Sequence, residues 1–367
     1  MKFSNFQIFK FSNLLLILSS CNPNYDMAGM LNGSSPEVST RFEQSMAYND
    51  SVGIPAVVVP SADYRVYVCT DSHIDSVPTN LTTFVQAAAS DTLCPLAIHL
   101  GDLINAQGHI PYAVSLLQDP PLPSLQREGE NLSSIVEGNL LPLPLCRGSR
   151  RGSFPYLAIT PGNHDLYFNQ WDEWRGYFGT SVYWFYTMLP DSTVLDRFIC
   201  LDSAEGSLGT AQLQWLRDVL QDPLQLPLRE HPKNQRFFGD PARGRESELP
   251  STTETNLSPS LSREGRGGSS SPFRHTVVFT HTHLFKRDNS QGHTSNYAIE
   301  ETYELTSLLE QGGVEMYWCG HDHSREITQY AGFNSIIVDA IEDHYPPAFY
   351  MIADFSDQIN YRFIQLP

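Results

Sequence analysis

The chain has 367 residues, 41% of them apolar, and sets 23 Lys and Arg against 41 Asp and Glu for a formal charge of −18. That length suits one large α/β domain with insertions. The acidic balance argues against a nucleic-acid surface, because phosphate backbones are repelled over most of the face; an acidic protein still binds a phosphoester if metal ions supply the positive charge.

Residues 1–20 carry the pattern of an export signal. Lys2 and Lys10 make a positive start, Leu14 to Leu18 form a short apolar core, and Ser19 and Ser20 stand where cleavage would fall. The apolar run is too short to span a bilayer. Leu18-Ser19-Ser20-Cys21 resembles a bacterial lipobox, so Cys21 is expected to be acylated, giving an exported lipoprotein of the cell envelope, in the periplasm or at the cell surface. The plainer alternative is an ordinary secretory signal with an incidental cysteine. Residues 21–60, rich in Asn, Ser, Gly and Pro, then read as a tether from lipid anchor to folded domain, and residues 61–367 as that domain.

From Tyr64 the pattern becomes periodic. Residues 65–70 predict a strand, 81–89 a helix, 96–100 a strand ending at Gly101-Asp102, 112–117 a helix, and 156–160 a strand ending just before Gly162. Residues 198–201 follow as a strand. Next comes a helix with Thr210 as its N-cap and Leu213, Leu216 and Leu220 on one face. Residues 277–280 predict a strand running into His281, and 295–311 a helix stopped by Gly312-Gly313. Residues 314–319 form the strand before the last histidine pair, and 335–338, 349–354 and 359–364 are shorter strands. Strand and helix alternate first and strands dominate later, which predicts an α/β fold of two packed sheets flanked by helices.

Residues 120–152 and 223–271 interrupt this order as Pro-, Ser-, Arg- and Gly-rich insertions without apolar periodicity. They share near-identical heptads, Pro123 to Gly129 and Pro259 to Gly265. Of the cysteines, Cys69, Cys200 and Cys319 lie in strand-like runs, and the odd number remaining after Cys21 argues against a disulfide framework. Buried thiols are the expectation.

Chemistry concentrates at strand ends. Asp71 and His73 are spaced so that both side chains can point to one side. Asp102 follows Gly101; Asn163, His164 and Asp165 share one tight turn; His281 closes a β-branched strand; His321 and His323 repeat the one-residue spacing. Singly, an Asp after Gly is more often a turn or cap, and a lone strand-end His more often structural. As a set they offer carboxylate, imidazole and amide donors at strand ends where α/β active sites gather, the ligand set of a two-metal hydrolytic site.

In this order, D-x-H, GD, GNHD, a strand-end His and GHxH resemble the calcineurin-like metallophosphoesterase superfamily from Tyr64 to the C-terminus. The resemblance implies a four-layer α/β/β/α sandwich of two mixed sheets with flanking helices. It also implies a phosphoric ester hydrolase with a dinuclear centre and a bridging hydroxide nucleophile. Asp71, His73 and His323 would hold one metal, Asn163, His281 and His321 the other, and Asp102 both. His164 would stabilise the transition state or protonate the leaving oxygen, with Asp165 orienting its ring. The chain departs from the family pattern in two places: Asn105 stands where an acid often follows the bridging Asp, and His281-Thr282-His283 leaves His283 as a rival ligand. Mixed nitrogen and oxygen donors favour two ions of Mn, Fe or Zn. The substrate is expected to be a small phosphoester. Alternatives are a phosphodiesterase for cyclic nucleotides or other diesters, its base pocket lined by Trp171, Trp174 and the aromatic run 183–186, and a surface-tethered binding protein with structural metals. Aromatic residues of that kind are more often core.

Overall fold

Tyr64–Cys69 (β2) alternates its faces, and that alternation divides the molecule into layers: Val66 and Val68 point into one apolar cluster, Tyr67 and Cys69 into another. The computed structural model describes residues 36–74, 77–105, 107–118, 145–147, 156–221, 271–284, 297–344 and 346–367. Cys21 and the signal-like residues 1–20 lie outside the described residues, as do most of both insertions.

Thirteen strands are described: β1 (Ala56–Val58), β2, β3 (Leu96–His99), β4 (Leu145–Arg147), β5 (Tyr156–Ile159), β6 (Tyr183–Met188), β7 (Val194–Cys200), β8 (Thr276–Phe279), β9 (Met316–Cys319), β10 (Glu326–Gln329), β11 (Asn334–Ile337), β12 (Phe349–Phe355) and β13 (Ile359–Gln365). One sheet has the order β13-β12-β2-β3-β5-β4, the other β1-β6-β7-β8-β9-β11-β10. Both are mixed. β2, β3 and β5 run parallel in the first sheet, and β7, β8 and β9 in the second.

The helices are α1 (Val38–Val52), α2 (Thr79–Ser90), α3 (Ile110–Gln118), the single turn α4 (Asn163–Leu166), α5 (Trp171–Phe178), α6 (Gly209–Gln221) and α7 (Ile299–Gln311). Leu81, Phe84 and Val85 of α2 and Trp171, Trp174 and Phe178 of α5 cover the outer face of the first sheet, against Tyr67, Leu157 and Ile352. Leu213, Leu216 and Leu220 of α6, with Leu305, Leu308 and Leu309 of α7, cover the second sheet against Ile199, Val278 and Tyr317. Between the sheets lie Val66, Val68, Ile98, Phe185, Phe198, Phe279 and Trp318. The fold is therefore the four-layer α/β/β/α sandwich that the resemblance implied. Trp171, Trp174, Tyr183 and Phe185 are core residues and line no base pocket. Cys69, Cys94, Cys200 and Cys319 are buried free thiols.

The N-terminal segment, one insertion and one helix start differ from the sequence reading. The tether does not extend to residue 60: α1 and β1 belong to the folded domain, and β1 adds to β6 in parallel. α1 escaped the periodicity test because its buried positions are polar, Arg41 and Ser45. The insertion at 120–152 contains β4, which extends the first sheet by pairing antiparallel with β5. And α6 begins at Gly209, so Thr210 lies inside its first turn and is not its cap.

A buried ion pair holds α1. Arg41 donates from Nε and from its second terminal nitrogen to both oxygens of Asp202, at 2.9 and 3.0 Å, and both side chains are fully buried. Glu205 adds a second carboxylate at 2.9 Å. Burial opposes charge on Asp202, but Arg41 outweighs it and holds the carboxyl below its ordinary 3.8. Its contribution to stability is thus present above about pH 4 and lost as the pH falls through the folded value. Asp202→Ala, which leaves Arg41 without its main partner, is expected to cost about 3 kcal/mol or more in urea unfolding at pH 7, and the double substitution Arg41→Met, Asp202→Leu to recover much of that loss.

Candidate metal centre

Each candidate residue sits just past the carboxyl end of a parallel strand. Asp71 and His73 follow β2, Asp102 follows β3, Asn163 and His164 follow β5, His281 follows β8, and His321 and His323 follow β9. Because the two sheets present these ends at one rim, residues some 250 positions apart meet: His73 Nε2 and His323 Nε2 are 3.1 Å apart. The loops are stitched across strands, with Asp71 N–H on Gly101 O, His73 N–H on Asp102 O and Gly320 N–H on His281 O.

The approach is close enough to require glycine. Gly101 has φ +96°, and a Cβ there would lie 2.7 Å from both Gly162 N and His281 Nδ1. The ligand positions are strained as well. Of the non-glycine residues with positive φ among those described, five are Asp71, His73, Asp102, His321 and His323, with φ from 41 to 70°. Such conformations cost an L-residue about 1–2 kcal/mol each, and they gather where a site over-determines them.

Both aspartates divide their oxygens between fold and site. Asp71 Oδ2 accepts from His321 N–H (2.9 Å) and Thr70 Oγ1 (2.5 Å). Its Oδ1 is buried without a hydrogen-bond partner, with His323 Nε2 at 3.3 Å and His73 Nε2 at 3.7 Å. Asp102 Oδ1 accepts from His164 N–H at 2.8 Å, while Oδ2 lies 3.3 Å from His281 Nε2 and 3.8 Å from His73 Nε2. Asp71, His73 and His323 form one group of donor atoms within 4.8 Å of one another; Asp102, His281 and His321 form a second; His73, Asp102 and His164 join the two.

The donor set fits cations. His281 Nδ1 lies 2.8 Å from Leu100 O, which only accepts, so that nitrogen carries the proton and Nε2 of the neutral ring is a bare acceptor. Yet Nε2 faces Asn163 Oδ1 at 3.1 Å, also an acceptor, as well as His321 Nδ1 at 3.1 Å. With the amide in this orientation, a proton or a metal ion between Nε2 and Oδ1 reconciles the pair. Burial lowers the affinity of His281 for a proton, but Asp102 and Asp71 raise it more, to about 10. His73 is likewise lifted to about 9 against burial by Asp71 and Asp102. A field that draws protons onto imidazoles draws divalent cations in their place.

His281, rather than His283, meets these groups; the His283 ring stacks 6.0 Å from that of His321 and belongs to none of the three groups. Asp165 does not orient His164. Its Oδ1 accepts from Leu103 N–H and Ile104 N–H at 3.0 and 3.2 Å, and Oδ2 from Gly162 N–H at 2.8 Å, so it ties the Asp102 loop to the Asn163 turn. Sequence adjacency placed it beside His164, but on a helical turn consecutive side chains diverge. The partner of His164 is Asn105: Nδ1 lies 3.0 Å from Asn105 Oδ1. The departure of Asn105 from the family pattern was the only sequence signal for that contact. Tyr167, four residues after Asn163, has no such signal; its Oη accepts from Asn163 Nδ2 at 2.9 Å.

A family model described as calcineurin-like phosphoesterase matches residues 64–325. No curated protein matches the chain. Among solved structures, purple acid phosphatase PPD1 from yellow lupin (Lupinus luteus) overlaps 83% of this chain and 52% of its own, at 13% identity and TM-score 0.48. A dimetal phosphatase from Danio rerio overlaps 82% and 95%, at 13% and 0.43. GAP50, the anchor in the inner membrane complex of Plasmodium, overlaps 83% and 85%, at 10% and 0.42. Identities this low transfer neither substrate nor partner.

The strain at His323, φ +48°, makes the usual order of substitutions reverse. In metal-free protein, His323→Gly is expected to be more stable than His323→Ala by about 1 kcal/mol, read from urea midpoints, because only glycine relaxes in the left-handed region.

Proposed function

The chain belongs to the calcineurin-like phosphoesterase family and is a metal-dependent phosphoester hydrolase, and from that premise we propose that it works with two metal ions that share Asp102. The observation that carries this reading is the position of Asp102 Oδ2, between His281 Nε2 at 3.3 Å and His73 Nε2 at 3.8 Å, one from each donor group. Asp71, His73 and His323 would hold one ion; Asn163, His281 and His321 would hold the other. Nitrogen and oxygen donors together favour Mn, Fe or Zn.

Ions bound there would supply an acidified water molecule and draw charge from the phosphoryl oxygens. The protein's own part is placement. Leu100 O fixes the tautomer of His281, so its Nε2 faces the site. Asp71 and Asp102 each keep one oxygen on backbone N–H and offer the other. His164 donates Nδ1–H to Asn105, and its ring stands edge-on to His73 at 4.5 Å. That leaves Nε2 of His164 to hydrogen-bond the phosphoryl or leaving oxygen. The substrate is a small phosphoester, monoester or diester.

The decisive experiment is a hydrolysis screen over aryl monoesters, bis-aryl diesters and cyclic nucleotides, with protein stripped by chelator and then reloaded with Mn or Zn. Activity is expected to vanish on stripping and return on loading; turnover that survives complete metal removal would overturn the reading. Asp102→Ala is expected to lose both ions, counted by atomic emission. His164→Ala should keep both while kcat falls about 10²–10⁴-fold.

For the N-terminus we propose export and acylation at Cys21, supported by the lipobox-like residues 18–21. Cys21→Ser should move the protein from membrane to soluble fractions in a bacterial host, and unchanged membrane association would remove the anchor.

A further inference from the structure

Asn163 offers an acceptor, Oδ1, and a donor group, Nδ2, and which one faces the cations decides whether it can be a ligand. Nδ2 donates to Tyr167 Oη at 2.9 Å, and Oδ1 lies toward His281 Nε2 at 3.1 Å. With neutral His281 the opposite orientation is the better hydrogen-bonding arrangement, because Nδ2–H would then meet the bare Nε2. The hydroxyl serves either orientation, donating to Oδ1 in the reversed one, but when a cation takes Oδ1 the buried Nδ2 needs an acceptor, and the Tyr167 hydroxyl is that acceptor. Asn163 is buried, so without the hydroxyl its donor would lose its partner away from bulk water. Tyr167 also touches the other half of the site. Its ring packs on His164 with centroids 4.5 Å apart at 43°, and His164 meets His73 edge-on at 4.5 Å.

We propose that Tyr167 is a dual positioning residue: its hydroxyl satisfies the buried Nδ2 of Asn163 while Oδ1 faces the cation site, and its ring holds His164 in place. The inference rests on the reading of Asn163 as a metal ligand. The two halves separate chemically, since phenylalanine removes the hydroxyl and keeps the ring, whereas leucine removes both.

The test titrates metal-free wild type, Tyr167→Phe and Tyr167→Leu with Mn(II) by calorimetry and with Co(II) by visible absorption. It also measures kcat and KM for an aryl phosphoester at saturating metal. Tyr167→Phe is expected to weaken one of the two binding events about ten-fold or more and to change the Co(II) spectrum of that site, the other event staying as in wild type. Tyr167→Leu should lower kcat at saturating metal well beyond the loss in Tyr167→Phe, with KM little altered. Two ions bound by Tyr167→Phe as tightly as by wild type would overturn the role of the hydroxyl. Equal kcat in the leucine and phenylalanine variants would overturn the role of the ring. A purely structural residue would lower the unfolding midpoint of the metal-free protein without singling out one binding event. Should the leucine variant fail to fold, Tyr167→Met, which also removes the ring, takes its place in the kcat comparison. Wild type that binds no metal would sink the two-ion reading and this inference with it, whereas two ions in wild type and no change in Tyr167→Phe would sink the inference only.

Discussion

Two buried carboxylates, Asp71 and Asp102, govern everything else at the rim of this sandwich. Each spends one oxygen on a backbone N–H and leaves the other among imidazole nitrogens. An ionised carboxylate out of water is tolerated only when it is paired and hydrogen-bonded. Here the pairing partners are themselves acceptors in their neutral form, as His281 shows with Nδ1 committed to Leu100 O. The arrangement is thus balanced only when positive charge enters it, as protons on His281 and His73 or as metal ions. Asp165 and Asn105 belong to the same economy of hydrogen bonds: one fixes the loops that carry the carboxylates, the other fixes the ring that stands beside them.

That demand explains why local backbone preference yields at the same places. Five candidate ligands adopt the left-handed region, at about 1–2 kcal/mol each, a burden comparable with the whole stability of a typical domain, about 5–15 kcal/mol. The compensation is visible in the connections between loops. The Asp71 and Asp102 segments continue the parallel register beyond β2 and β3, through His73 N–H on Asp102 O and Ile74 N–H on Leu103 O. The strain is held by a ladder, and the ladder keeps both carboxylates aimed the same way.

The strands bearing these residues were legible in the sequence because burial on both faces gives continuous apolar runs, and because Asp, Asn and His at their ends are chemically conspicuous. Orientation was not legible. Asp165 adjoins His164 in the chain but faces Leu103 and Gly162, and Tyr167 enters only once α4 closes a turn. His281 and His283 share a type and a neighbourhood, and only the packing of the two sheets distinguishes them. α1 stayed hidden for another reason. Its inward face carries Arg41 and Ser45, and their partners, Asp202 and Ser181, lie some 140 to 160 residues away. Polar burial of that kind leaves no hydrophobic period to detect. β10, whose residues alternate only between half-buried and exposed, was missed because it has almost no buried face at all.

α1 lies before residues 64–325, the part that matches the family model, yet it reaches the metal-bearing rim. Arg41 grips Asp202, and the next residue, Ser203, accepts through Oγ from Thr282 N–H at 2.8 Å and from Thr280 Oγ1 at 2.6 Å. Ser203 O accepts from Thr282 Oγ1 at 2.9 Å. His281 is the residue between those two threonines. The loop after β7 bears no candidate ligand, but it fixes both neighbours of one, and α1 in turn fixes that loop. β12 makes the parallel case in the other sheet: it lies beyond residue 325 and pairs antiparallel with β2, from whose end Asp71 and His73 project. The matched stretch carries the candidate ligands, while segments on either side of it set the rigidity with which those residues are held. A fragment trimmed to the matched residues would keep every candidate ligand and lose the supports of His281 and of the Asp71 strand.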